Sequence, residues 1–317
     1  MPPAASSVAH CAPAPQRRPW RPAAAGPRGW RERRRASRRG RSWASPVDVS
    51  RAKAYRGFIN ENKAKVMARS DPLATPGDIA AALALLTRLP VPADQARGAR
   101  ASWAWPLAGA VTGAVAAVVG GVALWLGLPA ALAAALVLAT QIVLTGALHE
   151  DGLADVADGF WGGHDVARRL DIMKDSRVGS YGVIALVLSL IARWAALAAL
   201  MPFGGLFWVL VATGALSRAP MAVLMAAMPN ARGAGLSQSV GRPSQATATL
   251  GVLVALAAGF LCLGTSALAP ILWVSLATLA IAAIAKAKIG GQTGDVLGSA
   301  QQLCEIAALG ALVAVST

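Results

Sequence analysis

Charged residues are scarce in this chain. Lys, Arg, Asp and Glu together make up 14% of its 317 residues, whereas hydrophobic residues make up 56% and the mean hydropathy is +0.52. A soluble domain contains about 25% charged residues. The composition therefore excludes an ordinary soluble domain and is typical of an integral membrane protein.

Cysteine is also rare. Cys11, Cys262 and Cys304 are too few and too scattered for a disulfide framework or a zinc site. Cys262 and Cys304 lie in apolar segments, where a cysteine is most often a small buried hydrophobic residue. We therefore expect neither of them to be a reactive thiol.

Acidic residues are almost missing from the first part of the chain. Residues 1–70 hold 17 Lys and Arg against Glu32, Asp48 and Glu61, so that the remainder is nearly neutral although the whole chain has a net charge of +15. The high isoelectric point thus describes an N-terminal arm, and nucleic-acid binding by the body of the protein is excluded.

The arm, residues 1–72, is rich in Arg, Pro, Ala and Ser. It lacks an apolar run long enough for a signal peptide. The composition favours a disordered basic segment. Two alternatives stay open, namely translation from an upstream start codon and an Arg-rich targeting peptide.

Long apolar runs follow, and they predict an all-α, polytopic membrane domain over residues 78–317. A run of about 20 apolar residues crosses the hydrocarbon core as a helix. A shorter run at 77–89 suits an interfacial or re-entrant helix. We expect seven spanning helices, with a range of six to eight, at 103–127, 130–148, 180–201, 203–228, 247–267, 269–285 and 296–316.

The polar loops between these runs carry most of the remaining positive charge. If the helices pair as hairpins, the loops at 149–179, 229–245 and 286–295 lie on one face of the membrane. Excess Lys and Arg mark the cytoplasmic side. The sequence therefore predicts a multi-pass protein of a bacterial inner membrane with these loops in the cytoplasm. The basic loop residues are Arg168, Arg169, Lys174, Arg177, Arg232, Arg242, Lys286 and Lys288.

The first polar loop contains a dense group of carboxylates. Asp151, Asp155 and Asp158 have the spacing i, i+4 and i+7, which places them on one face of a helix, and Asp171 and Asp175 form a second group. Like charges at this spacing repel one another, and a divalent cation would offset the repulsion. Oxygen ligands suit Mg²⁺. The alternative is a solvated charged loop.

Other polar residues surround the carboxylates. Lys174 and Arg177 are placed to bind phosphate, unless they only balance Asp171 and Asp175. His149 and His164 are candidate general bases, although such residues more often hydrogen-bond a neighbour. Gly159 lies in a glycine-rich turn where a ligand can approach the backbone, and Trp161 could stack on a base or another flat ring.

A second polar segment begins the last apolar run. Asp295 could cap this helix, but the glycines and Gln292 around it favour a substrate role. Glu305 is expected to have a packing or pairing role. Arg218 and Arg193 also lie inside apolar runs; Arg218 is a candidate for substrate binding and Arg193 for ion pairing.

Several of these segments closely resemble the adenosylcobinamide-GDP ribazoletransferase (cobalamin synthase) family. The resemblance starts near residue 78 and extends to the C-terminus, and its motifs occur in the same order. They are LLTRLPVP at 85–92, WPLAGAVTGA at 105–114, HEDGLADVADGFWGG at 149–163, DIMKDSRVGSYG at 171–182, SRAPMAVLMAAMP at 217–229 and GGQTGDVLGSAQQLCEI at 290–306.

The resemblance implies a Mg²⁺-dependent transfer in a membrane. The substrates would be adenosylcobinamide-GDP and either α-ribazole or its 5'-phosphate. The products would be GMP and either adenosylcobalamin or its 5'-phosphate. The catalytic candidates are His149, Asp155, Asp158, Asp175 and Asp295. The metal ligands would be Asp151, Asp155, Asp158, Asp171 and Asp175, and the substrate-binding residues Gly159, Trp161, Lys174, Arg177, Arg218 and Gln292.

Two other functions stay open. Asp155-x2-Asp158-Gly159 and Asp171-x3-Asp175 are similar to the motif of CDP-alcohol phosphotransferases, although the gap is shorter and an Ala-Arg pair is missing. A cation transporter would need its carboxylates near the middle of the bilayer. The lipid bilayer is the expected partner of the apolar helices. The sequence identifies no protein partner; a second copy of the chain and other cobalamin-pathway enzymes are the candidates.

Overall fold

The computed structural model describes residues 72–316, and the predicted basic arm lies outside the described residues apart from its last position. Over this range the chain is helical, with one isolated β-bridge between Asn230 and Gln292. The helices are α1 Gly77–Leu86, α2 Trp105–Trp125, α3 Ala130–Thr145, α4 Leu148–Gly162, α5 Val166–Ile172, α6 Ser180–Leu200, α7 Leu206–Ala227, α8 Leu236–Val240, α9 Gln245–Leu263, α10 Leu268–Ile289 and α11 Gly294–Ser316.

The helices form a multi-pass membrane bundle, as predicted. Within residues 72–316, five helical stretches are long and apolar enough to cross a membrane, or six if the bent pair α3 and α4 counts as one. The longest stretch, Gln245–Ile289, has 45 residues and comprises α9 and α10, which the non-helical backbone of Gly264 separates. A straight helix of that length would measure about 67 Å, more than twice the hydrocarbon core. The total of five to six is close to the low end of the predicted range of six to eight.

Small residues let the central helices approach closely. On α2 and α7, Gly109 and Gly214 face each other, and a Cβ on either would overlap the carbonyl oxygen of the other. Gly113 meets the carbonyl of Leu210 in the same way. Such contacts are typical of membrane helices, whose association depends on close packing. The glycines of the predicted first span therefore have a structural role.

The connection between α3 and α4 differs from the prediction. The apolar run 130–148 was expected to span the membrane and to lead into a loop, but α3 ends at Thr145 and the axis turns by 89°. Gly146 and Ala147 both have left-handed backbone angles, and the Arg88 amide donates to Leu144 just before the turn, at 2.6 Å. The bend lays the acidic segment across the bundle as a helix.

A second difference concerns residues 159–164. They were expected to form a glycine-rich turn, but α4 continues to Gly162. A Cβ at Gly159 would overlap the side chain of Met173 and lie 2.9 Å from the carbonyl oxygen of Arg169. The glycine thus admits the segment that contains α5, and no ligand reaches the backbone there.

Four helices meet at a buried ion network. Arg193 of α6 contacts Glu150 of α4 at 3.1 Å and Glu305 of α11 at 3.8 Å, and Arg218 of α7 contacts Glu305 at 3.8 Å. All four side chains are at most 10% exposed. Two arginines and two glutamates leave the network neutral, which limits the cost of burying the charges. The expected pairing roles of Arg193 and Glu305 are confirmed.

Amides and a hydroxyl extend this network, although Glu150 Oε2, Arg193 Nε and Glu305 Oε1 have no hydrogen-bond partner among the described residues. Gln302 donates to Glu150 at 3.1 Å and to Gln301 at 2.9 Å, and Gln301 donates to Glu305 and to Ser217. Buried charges are stable only where such hydrogen bonds satisfy them. The network therefore fixes α4, α6, α7 and α11 relative to one another.

Removing one cation from the network should destabilise the bundle strongly. In Arg193→Met, Glu150 loses its arginine partner and Glu305 loses one of two, which should lower the free energy of unfolding by about 3–5 kcal/mol. Unfolding in detergent, followed by circular dichroism, measures this. The control is Arg242→Met, because Arg242 is exposed and donates to the Ala226 carbonyl; it should change stability by less than about 0.5 kcal/mol. Equal stability of the two variants would contradict a structural role for the network.

Candidate active site

Helix α4 carries a face with concentrated negative charge. Asp151 is exposed and Asp155 is half-buried, and the two lie one helical turn apart as predicted. Asp155 is electrostatically coupled to Asp151, Asp158 and Asp295, whose charges repel its own, and to Arg232, whose charge attracts it. The face thus includes a carboxylate from α11 as well as those of α4.

Asp295 reaches this face because α4 and α11 cross with their backbones in contact. A Cβ on Gly152 would lie 2.8 Å from the carbonyl oxygen of Asp295, and one on Gly298 would lie 3.3 Å from the Cα of His149. Ser299 donates to the carbonyl of Gly152 at 3.0 Å. The predicted proximity of Asp295 to the acidic segment is therefore present in the structure.

Arg232 lies over these carboxylates. Its Nη2 donates to Asp295 at 2.7 Å and to the Met173 carbonyl at 3.4 Å, and its side chain is 12% exposed. Its Nε is buried without a hydrogen-bond partner among the described residues. A guanidinium that is only partly engaged beside a cluster of carboxylates can bind a further anionic group.

The loop that carries Arg232 is fixed to the start of α11. Ala231 donates to the Gln292 carbonyl and Gln292 donates to the Pro229 carbonyl, both at 2.8 Å. Asn230 accepts the amide of Arg232 at 3.0 Å. The sequence indicated Arg232 only as one basic loop residue among several, because nothing local to it reveals these contacts with residues sixty positions away.

Asp151, Asp295 and Arg232 border a cavity between α1, α2, α4, α7, α11 and the 229–245 loop. The cavity encloses about 120 Å³, or about 750 Å³ with its open mouth. Asp151, Arg232 and Asp295 lie on its polar side together with His149. Its other side is apolar and includes Trp105 and two methionines. A cavity with a few convergent polar groups in an apolar wall is typical of a small-molecule site.

Asp158 has a structural contact that the sequence did not predict. Its Oδ2 accepts the Gly179 amide at 2.7 Å and its Oδ1 accepts the Gly182 amide at 2.9 Å. The buried carboxylate thereby satisfies amides at the N-terminus of α6, which would otherwise have no partner within that helix. Each oxygen accepts one of these hydrogen bonds, which leaves Asp158 fewer free lone pairs for a metal than Asp151 or Asp155.

The second acidic group lies on an exposed segment at the end of α5 and just after it. Arg177 donates to Asp175 through Nε at 3.1 Å and Nη2 at 2.7 Å, and both side chains are exposed. These side-chain hydrogen bonds, together with one from the Arg177 amide, lower the pKa of Asp175 to about 2. Asp171 and Lys174 are also exposed. None of the four lines the cavity described above.

Trp161, a predicted substrate-binding residue, lies away from the carboxylates of α4. Gln292, another predicted one, faces inwards. Trp161 is 55% exposed, and the ammonium of Lys288 lies 5.5 Å from the centre of its ring. Gln292 is buried and its Oε1 has no partner among the described residues, while its backbone holds the Arg232 loop. Gln292 therefore acts on the site through the loop.

The two histidines and Arg218 differ in whether they lie at the cavity. His149 is 2% exposed, lines the cavity, and its Nε2 has no partner in the described part of the chain. His164 is exposed, and its carbonyl accepts from Arg169. Arg218 is buried in the ion network, donates to Gly214 and Ser217, and does not line the cavity. The structure thus places His149, and neither His164 nor Arg218, at the cavity.

The predicted metal ligands do not form a ready three-residue site. Over residues 72–316, no three His, Cys, Asp or Glu side chains are placed to hold one ion. The available donors are nevertheless carboxylate oxygens, and Mg²⁺ is often bound by one or two carboxylates together with substrate phosphates and water. Asp151 and Asp155 fit that arrangement, whereas Asp158 and Asp175 are already engaged.

Comparisons with known proteins identify the family of this chain. The sequence model of the family described as Cobalamin-5-phosphate synthase matches residues 78–313. A protein of Mesorhizobium japonicum named adenosylcobinamide-GDP ribazoletransferase is 44% identical over 236 residues, which cover 73% of this chain and 91% of the relative. A protein of the same name from Azorhizobium caulinodans is 46% identical over 247 residues, covering 73% and 93% respectively.

Another relative with this name, from Bradyrhizobium diazoefficiens, is 44% identical over 237 residues, covering 73% of this chain and 91% of the relative. No solved structure matches the chain. The resemblance predicted from the motifs is confirmed, and with it the assignment of the chain as an enzyme. The family match and these relatives together show that the chain belongs to the cobalamin-5-phosphate synthase family.

Proposed function

We propose that this enzyme transfers α-ribazole, or α-ribazole 5'-phosphate, onto adenosylcobinamide-GDP. A hydroxyl oxygen of the ribazole attacks the phosphorus that carries the cobinamide. The bond from this phosphorus to the bridging oxygen breaks, its electron pair leaves with GMP, and the hydroxyl proton passes to the protein or to water. The products are GMP and adenosylcobalamin or its 5'-phosphate.

One observation carries this proposal within the family, namely that Asp295 of α11 lies against Asp151 and Asp155 of α4 beneath Arg232. A diphosphate needs cationic groups that hold it and a positioned nucleophile. Arg232 supplies a positive charge beside these carboxylates and can donate to a phosphate oxygen. His149 lines the cavity and is placed to accept the proton of the attacking hydroxyl, with Asp155 one turn beyond Asp151 on the same helix.

Magnesium dependence is part of the same proposal. Asp151 and Asp155 would hold the ion together with phosphate oxygens of the substrate. When bound, it would neutralise the charge that develops on the leaving phosphate. The remaining predicted ligands contribute less, since Asp158 caps α6 and Asp175 pairs with Arg177.

We also propose that the site opens to the cytoplasm from a bacterial inner membrane. Arg232 and Arg242 lie in the 229–245 loop, and Lys286 and Lys288 end α10 beside it. Excess Lys and Arg on one face support a cytoplasmic location of that face. Nucleotide substrates and GMP would then enter and leave on the same side.

The activity can be tested with membranes that contain the protein. Adenosylcobinamide-GDP, α-ribazole and Mg²⁺ should yield GMP and a new corrinoid in equal amounts, measured by chromatography. Omitting α-ribazole should suppress both products. Release of GMP without the new corrinoid would contradict the proposal.

Asp155 and Asp158 should differ when each is replaced by asparagine. Asp155→Asn should reduce turnover at least ~100-fold, because a positioned carboxylate contributes about 10²–10⁴-fold to such a step, with unfolding unchanged. Asp158→Asn should lower the free energy of unfolding by about 1–3 kcal/mol, since an amide cannot accept both buried amide protons. Turnover and detergent unfolding are measured on both variants. A functional role for Asp155 would be refuted by near-normal turnover of Asp155→Asn.

Arg232 should contribute to binding of the diphosphate substrate. Arg232→Gln should raise the KM for adenosylcobinamide-GDP about 10–100-fold, as expected for hydrogen bonds to a charged group. Arg232→Lys should lie between the variant and the native enzyme, because it keeps the charge and loses the fork. Steady-state kinetics measure both.

The matched control is Arg242→Gln. Arg242 belongs to the same loop, but its guanidinium donates to the Ala226 carbonyl at 2.6 and 2.8 Å and is exposed. It should leave the KM unchanged. If Arg232→Gln and Arg242→Gln have the same KM, Arg232 does not bind the diphosphate.

A further inference from the structure

The cavity beside the carboxylates has two chemically different sides. Asp151, Arg232 and Asp295 border its polar side. The apolar side is lined by Leu85, Leu86, Trp105, Met221 and Met225, which belong to α1, α2 and α7. Of these, Trp105, Met221 and Met225 are no more than 3% exposed. A ligand that fills this space must therefore combine an apolar ring with a polar part.

We propose that the apolar side of this cavity binds the aromatic base of the α-ribazole acceptor. This inference rests on the proposed function and adds the location of the acceptor. α-Ribazole is a riboside of a substituted benzimidazole, so a flat and largely apolar ring is joined to a sugar with several hydroxyls. With the ring against Trp105, Met221 and Met225, the sugar lies toward Asp151 and Asp295.

Size excludes the corrin ring from the enclosed part. The cavity encloses about 120 Å³. An apolar cavity of about 150 Å³ binds benzene. A space of about 120 Å³ therefore admits at most part of one small ring system, and a bicyclic base would extend into the open mouth. A corrin macrocycle is several times larger than that and must stay outside.

Polarity excludes the guanine of the nucleotide. Guanine carries several hydrogen-bonding groups at its edge, and burying them without partners costs roughly 1–3 kcal/mol for each. The apolar side is formed by leucine, methionine and tryptophan side chains, which offer few partners for those groups. A benzimidazole has no amino or carbonyl group at its edge, so that its burial costs less.

The lining also suits a planar ring. Trp105 is the aromatic residue of the lining, and stacking of a base on an aromatic side chain contributes about 1–3 kcal/mol. Methionine side chains are flexible and polarisable and adapt to rings of different shape. Met221 and Met225 lie one turn apart on α7. The pocket should therefore accept related bases as well.

Filling the pocket should weaken acceptor binding selectively. Met225→Phe should raise the KM for α-ribazole at least ~10-fold, while the KM for adenosylcobinamide-GDP and inhibition by GMP stay unchanged. The control is Met201→Phe. Met201 follows α6 in the chain, is buried to a similar degree and belongs to a separate hydrophobic cluster. This variant should leave all three constants unchanged.

A second measurement uses the unaltered protein and does not depend on folding of a variant. The free benzimidazole base should inhibit competitively against α-ribazole and should not compete with adenosylcobinamide-GDP. Absence of inhibition, or competition with the corrinoid substrate, would overturn the inference.

The outcomes separate the two proposals. If the native protein forms no new corrinoid, the proposed function is wrong. If the native protein is active but Met225→Phe leaves the KM for α-ribazole unchanged, only the location of the base is wrong. Weaker inhibition of that variant by GMP would mean that guanine occupies the pocket, which would also overturn the inference.

Discussion

The contact between the backbones of α4 and α11 is the constraint on which the rest of the site depends. Gly152 and Gly298 are the two residues that permit it, since a Cβ at Gly152 would lie 2.8 Å from the Asp295 carbonyl oxygen. Only this approach brings a carboxylate of the last helix beside those of the acidic segment. A wider separation would leave Asp295 paired with Arg232 alone, without the carboxylates of α4 beside it.

The charged residues on the two sides of the contact between α4 and α11 are neutralised to different extents. Behind it, Glu150 and Glu305 are matched by two buried arginines, and amide side chains satisfy much of the remaining hydrogen-bonding capacity. In front of it, Asp151, Asp155 and Asp295 share Arg232 as a counter-charge. The buried side is neutral and rigid, whereas the cavity side keeps excess negative charge. Such uncompensated charge destabilises a protein unless a cation binds there, and it is therefore characteristic of a functional site.

The sequence was sufficient for features that depend on local pattern and insufficient for those that depend on distant contacts. Apolar runs predicted the helices, because length and hydropathy are properties of one segment. Asp295 was recognised because a carboxylate in an apolar run is costly and is therefore usually functional. The bend at Ala147, the cap that Asp158 provides for α6 and the position of Arg232 were missed, since each arises from residues far away in the chain. Arg218 was misplaced because an arginine in an apolar helix can face a cavity or an ion network equally well.

The membrane bundle also strengthens electrostatic interactions at the site. Apolar walls from α1, α2 and α7 surround the cavity, so that the effective dielectric constant near Arg232 and the carboxylates is lower than in water. Interactions with a diphosphate are stronger in such surroundings, and groups fixed in advance need no rearrangement during the reaction. The loop at 229–233 supplies the cation, and its attachment to Gln292 fixes that cation against the helix that carries Asp295. Placing one short loop at the end of spanning helices therefore gives the cavity a polar mouth beside an apolar wall.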